Sequence, residues 1–103
     1  MYWFIRDPID RLIRVCFSDR RLQNMEAFLA MSRHDALRRI LEDLAQYQGD
    51  GYHACPGEYL ELLVEGSRVT ARICLCDAAP CRMHVDYFCR LVTDYLAEWD
   101  AMC

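Results

Sequence analysis

The sequence predicts an α+β fold, and three observations carry the prediction. Alternating apolar residues on both sides of Gly66-Ser67 mark a β-hairpin. Amphipathic stretches of helical period precede and follow it. All of this lies within 103 residues, room for one core and so for a single domain over 1–103. The expected architecture is a set of N-terminal helices, a central antiparallel hairpin and a long C-terminal helix packed on the sheet. The N-terminal strand is a candidate third strand for that hairpin.

The elements follow in order. Residues 1–6 are aromatic and β-prone, which predicts a short strand. Asp7-Pro8 has the form of an N-cap followed by proline at the first helical position. Ile9, Leu12, Ile13 and Cys16 then recur at helical spacing. A strand over 11–17, with Ile13, Val15 and Phe17 on one side, is the competing pattern, and the helix is the preferred reading. Asp19 can cap a second helix that turns Leu22, Met25, Phe28 and Leu29 to one face. Ser32-Arg33-His34-Asp35 has the form of a capping box, with Asp in place of Glu. It opens a helix to about residue 48, with Leu37, Ile40, Leu41 and Leu44 as its apolar stripe. Arg38–Glu42 and Arg39–Asp43 are spaced as i,i+4 ion pairs on the opposite side, and Gly49-Asp50-Gly51 ends the helix.

The hairpin is the best specified element. Gly first in a two-residue loop suits a type II′ turn, and that loop sets the register. Glu65 then faces Arg68, Val64 faces Val69, Leu63 faces Thr70, Leu62 faces Ala71, Glu61 faces Arg72 and Leu60 faces Ile73. Leu60, Leu62, Val64, Val69, Ala71, Ile73 and Leu75 form one apolar face, and the other face carries two Glu–Arg pairs. A turn at 77–80 leads into a helix from about Arg82 to Met102. Its apolar stripe is Phe88, Leu91, Val92, Tyr95, Trp99 and Met102. Asp86, Arg90, Asp94, Glu98 and Asp100 lie largely off that stripe.

Composition narrows the function classes. The formal charge is −4, which argues against a general binder of nucleic acid or anionic membranes. Residues 1–50 carry eight Arg and eight acids, and residues 51–103 carry four Arg and eight acids. The whole deficit therefore sits in the second half. All twelve cations are Arg, a bias expected of GC-rich coding sequence. It excludes Schiff-base lysine chemistry and makes every cation permanent. No apolar run reaches the length of a membrane span. The first ten residues carry charges at 6, 7 and 10, unlike a signal peptide, and this points to a cytoplasmic protein. Seven cysteines cannot all pair within one chain, so the expectation is reduced thiols used as small apolar side chains.

The candidate chemistries are sparse. Cys74, Cys76, Cys81 and His84 could bring four N/S ligands to a zinc ion across the turn at Pro80, although C-x-C is a poor zinc spacing. His53 with Cys55, and His84 with Cys81 or Cys89, are possible thiol–imidazole dyads, but no oxyanion turn accompanies them. No stretch carries a motif specific enough to name a family. The expectation is a small acidic binding protein, not an enzyme and without a cofactor, that occupies the surface of a basic protein partner. An inhibitor of immunity, antitoxin or phage anti-defence type is the specific form. Asp86, Asp94, Glu98 and Asp100 are the candidate partner-binding residues, and a homodimer is the candidate oligomer. The alternatives are a metal-binding or redox module built on the late cysteines, and a type III secretion chaperone or small enzyme subunit.

Overall fold

The fold is α+β, with six strands in two antiparallel sheets and three α-helices among the described residues. The computed structural model describes residues 1–75 and 77–101. Strand β1, Tyr2–Arg6, pairs with β2, Ile13–Phe17, in the register Tyr2↔Phe17, Phe4↔Val15, Arg6↔Ile13. This corrects two expectations. Residues 9–16 are not a helix, and the N-terminal strand forms its own two-stranded sheet instead of joining the central hairpin.

The cause lies in residues 7–12. The Asp7 carboxylate accepts the Ile9 N–H at 2.9 Å, the Asp10 carboxylate accepts the Leu12 N–H at 3.0 Å, and the Asp7 carbonyl accepts the Arg11 N–H at 2.9 Å. The capping signal therefore starts a single turn. Arg11, at φ 59°, ends it in the left-handed region that residues other than glycine rarely adopt. Ile13 and Val15, two apart, then point into the core, and period two prevails over period 3.6.

Asp19 caps a short 3-10 turn, Arg20–Leu22, by accepting the Arg21 N–H. Helix α1, Asn24–Met31, follows, and Leu22, Met25, Phe28 and Leu29 are buried as the spacing predicts. Helix α2 is His34–Ala45, ending about three residues earlier than expected, with Leu37, Ile40 and Leu44 buried. The capping box does not form. The Ser32 hydroxyl instead donates back to the Phe28 carbonyl at 2.6 Å, and the N-cap residue is Arg33 with no side-chain cap bond. Nor are the i,i+4 pairs the contacts these side chains make. Arg38 reaches Asp100 at 2.8 Å, and Asp43 accepts the Tyr52 hydroxyl at 2.7 Å.

The second sheet has the order β3-β4-β5-β6: Tyr52–Ala54, Leu60–Glu65, Arg68–Ile73 and Cys81–His84. The β4–β5 register is the expected one at every pair from Leu60↔Ile73 to Glu65↔Arg68. Gly66 sits at φ 58° while Ser67 has no positive φ, as a type II′ turn requires. Leu60, Leu62, Val64, Val69, Ala71 and Ile73 are buried, but Leu75, beyond the strand, is 63% exposed. Strands β3 and β6 were not expected. The first is three residues long beside a glycine- and proline-rich stretch, and the second occupies residues assigned to the start of the last helix.

Helix α3 is accordingly Val85–Asp100. Phe88, Leu91, Val92, Tyr95 and Leu96 are buried and Trp99 is half-buried, while Met102 lies outside the described residues. Helices α1 and α3 each touch β2 of the small sheet and β5 of the large one, so the apolar faces of both sheets close on the same helices. Gly57 allows the loop before β4 to press on the end of α1. A Cβ there would stand 2.7 Å from the Met31 carbonyl oxygen.

Candidate functional site: a pocket walled by aromatics

Helix α3 sends its off-stripe acids mostly into intramolecular contacts. Asp94 accepts a hydrogen bond from the Tyr2 hydroxyl. Glu98 pairs with Arg6 at 3.0 Å, and Asp100 pairs with Arg38 at 2.8 Å. These three carboxylates tie α3 to β1 and to α2. Arg38 holds the Asp100 carboxyl below its usual range, mainly by hydrogen bonding. Asp86 stands apart at the start of α3, with its side chain 91% exposed and 3.6 Å from the His84 ring.

The candidate metal ligands do not come together among the described residues. Cys81 is buried, and desolvation pushes its thiol pKa up. His84 is exposed, and its Nδ1 accepts the Asp86 N–H at 3.0 Å as the cap of α3. Cys74 is exposed, and Cys76 lies outside the described residues. No group of three or more His, Cys, Asp or Glu among the described residues could hold a metal ion. The dyads fare no better chemically. Burial raises the thiol pKa of Cys89 as well as that of Cys81, the reverse of what a thiolate nucleophile needs. His53 lies 3.9 Å from Glu61, on the polar side of the large sheet, and Cys55 is exposed in the loop that follows.

The concave feature of greatest interest was not expected from the sequence. A pocket of about 480 Å³ opens between β2, α1 and the facing ends of α2 and α3. Its walls are Tyr95 and Trp99 of α3. The rings of His34 and Trp99 stand 5.2 Å apart, those of His34 and Tyr95 6.0 Å, and those of Tyr95 and Trp99 6.4 Å. The Tyr95 hydroxyl donates to the Leu29 carbonyl at 3.3 Å and so fixes its ring against α1. Ala27 and Ala30, one turn apart on the outer side of α1, leave the space that larger side chains would fill. Arg14 and Glu26 add one charge of each sign to the rim.

The β1–β2 loop, which reaches the pocket at Leu12, projects apolar side chains into solvent. Ile9 is 92% exposed, and Leu12, which also lines the pocket, is half-exposed. The lining is mixed: Arg14, Gln23, Asn24, Glu26 and His34 bring polar groups beside Ile13, the two alanines and the aromatic rings, and half-exposed Leu12 stands at the mouth. This arrangement is suited to receive a side chain with both apolar and polar parts from another molecule. No protein-family model, no curated protein and no solved structure matches the chain. No helix among the described residues is long and apolar enough to cross a membrane.

Proposed function

We propose that this chain is a small cytoplasmic binding protein that acts by occupying the surface of a partner protein, with the pocket of Tyr95 and Trp99 as its anchor. The observation that carries the reading is the pocket itself, open and walled by Tyr95 and Trp99, with half-exposed Leu12 at its mouth. Trp99 is the half-buried aromatic of the pocket, backed by the buried Tyr95, and Trp is among the side chains that most often dominate a protein interface. The specific form is an inhibitor of a basic protein, of immunity, antitoxin or phage anti-defence type. Its support is the net charge of −4, with the excess of acids in residues 51–103 and the Asp86 side chain out in solvent. Among the four acids of α3, Asp86 and Asp100 are the exposed ones, whereas Asp94 and Glu98 are half-buried against β1. No catalytic residue and no cofactor enter this reading.

The test is affinity capture followed by surface plasmon resonance on the captured protein, using variants that leave the core intact. Ala30→Trp fills the pocket and Leu12→Asp charges its mouth. Each is expected to weaken binding by more than tenfold, the scale of roughly 1.4 kcal/mol, with unchanged thermal midpoints. Arg72→Ala on the far sheet serves as the control. A basic partner should also associate more slowly as salt rises. Binding that survives both pocket variants would remove the pocket from the proposal. About one equivalent of zinc in protein purified without added metal would favour the metal-binding alternative.

A further inference from the structure

Strand β1 has an open edge, and its hydrogen-bond phase says which groups are available. The Ser18 N–H donates to the Met1 carbonyl and the Asp7 N–H to the Leu12 carbonyl, each at 3.0 Å. These bonds bracket the hairpin. In its register they make Trp3–Cys16 and Ile5–Arg14 the pairs that exchange backbone bonds. The N–H and C=O groups of Tyr2, Phe4 and Arg6 therefore point away from β2. Among the described residues none of them meets a backbone or side-chain partner. The other side of the small sheet differs, because Ile13 and Val15 of β2 are buried and α1 lies against that strand.

We propose that β1 pairs antiparallel with β1 of a second copy of this chain about a twofold axis at Phe4, merging two hairpins into one four-stranded sheet of order β2-β1-β1-β2. The strand is complementary to itself in that arrangement. Phe4 faces Phe4 of the second copy, and the outward-pointing Trp3 and Ile5, 47% and 49% exposed, face each other across the axis. Arg6, whose charge Glu98 already answers, comes opposite Tyr2 of the second copy, whose hydroxyl is bonded to Asp94, so the pairing brings no unanswered charge to the axis. The backbone groups of Tyr2, Phe4 and Arg6 then find partners in full. The edge also lacks the usual guards against pairing. It has no proline, no lysine and no bulge, and its one charged side chain is already held by Glu98. This surface is distinct from the pocket and does not depend on the function proposed for it.

The experiment is sedimentation equilibrium of the full chain from about 1 µM to about 1 mM, with amide hydrogen exchange measured at both ends of that range. The expected result is a monomer–dimer equilibrium in which the amides of Tyr2, Phe4 and Arg6 slow by at least about tenfold at high concentration. Those of Trp3 and Ile5, bonded within the hairpin already, should change much less. Ile5→Lys and, separately, Trp3→Lys place a charge on the outward face away from the core. Each should give a folded monomer with native circular dichroism, while Ala30→Trp in the pocket should leave the dimer intact. A monomer across the whole range would overturn the proposal. So would a dimer in which the Tyr2, Phe4 and Arg6 amides exchange as fast as in the monomer, because association would then use another surface.

Discussion

Cys81 and Cys74 show how one residue type takes two roles. Cys81 enters β6 facing the core, where burial keeps its thiol protonated, while Cys74 follows β5 in solvent. Under native conditions Cys55 and Cys74 should be alkylated readily by iodoacetamide, and Cys81 only after denaturation, as read by peptide mass mapping. Rapid native labelling of Cys81 would show that β6 does not hold it inside. That a cysteine can serve as a small apolar residue was legible from the odd count, and among the described cysteines Cys81 does so, whereas Cys55 and Cys74 are exposed. Which cysteines face inward was not, because the four residues Cys81–His84 are too short to outweigh the helical reading given to their end, and Cys74 lies just past Ile73, where β5 stops. The acids of α3 give the same lesson. Their position off the apolar stripe is visible in the spacing, but Tyr2, Arg6 and Arg38 reach them from elements 62 to 92 residues away.

At the scale of elements, the two hairpins contrast. In β4–β5 the turn residue, the apolar alternation and the Glu–Arg pairs all require one register, and that register is found. Gly66→Ala should destabilise the protein by about 1 kcal/mol in urea unfolding, because alanine pays a steric cost at φ 58°. No change there would mean that the turn relaxes without cost. In β1–β2 the local signals conflict. Asp7-Pro8 favours a helix start, whereas Ile13, Val15 and Phe17 favour a strand, and only burial against α1 and α3 decides between them. The link between α2 and α3 is likewise tertiary, through Arg38–Asp100. The Asp100 carboxyl is held below its ordinary value in the fold, so its contribution is present above the unfolded pKa of about 3.9 and is lost as pH falls through the folded value. Asp100→Asn should therefore be less stable than the parent at neutral pH, with the difference disappearing in acid. A gap of constant size down to pH 2 would show that the ion pair is not its source.

At the scale of the whole molecule, two sheets share one set of helices, and the pocket forms where the small sheet meets the helices. Ala27 and Ala30 come from α1, Tyr95 and Trp99 from α3, His34 from α2, and Leu12 and Arg14 from the first hairpin and its loop. The small residues at i and i+3 and the aromatics at i and i+4 are visible in the sequence as helix faces. Nothing local indicates that these faces leave a gap between them. The sequence by itself determined the α+β class, the central hairpin with its register, and the inward faces of α1, α2 and α3. Each of these depends on contacts close in sequence or on a periodicity that only one structure satisfies. The tertiary structure decided the strand over Ile13–Phe17, the separation into two sheets, the short edge strands β3 and β6, the internal bonding of Asp94, Glu98 and Asp100, and the pocket. The reason is physical: a short segment with weak or conflicting local preference takes the conformation that buries most apolar surface against distant neighbours, and those neighbours exist only once the chain has folded.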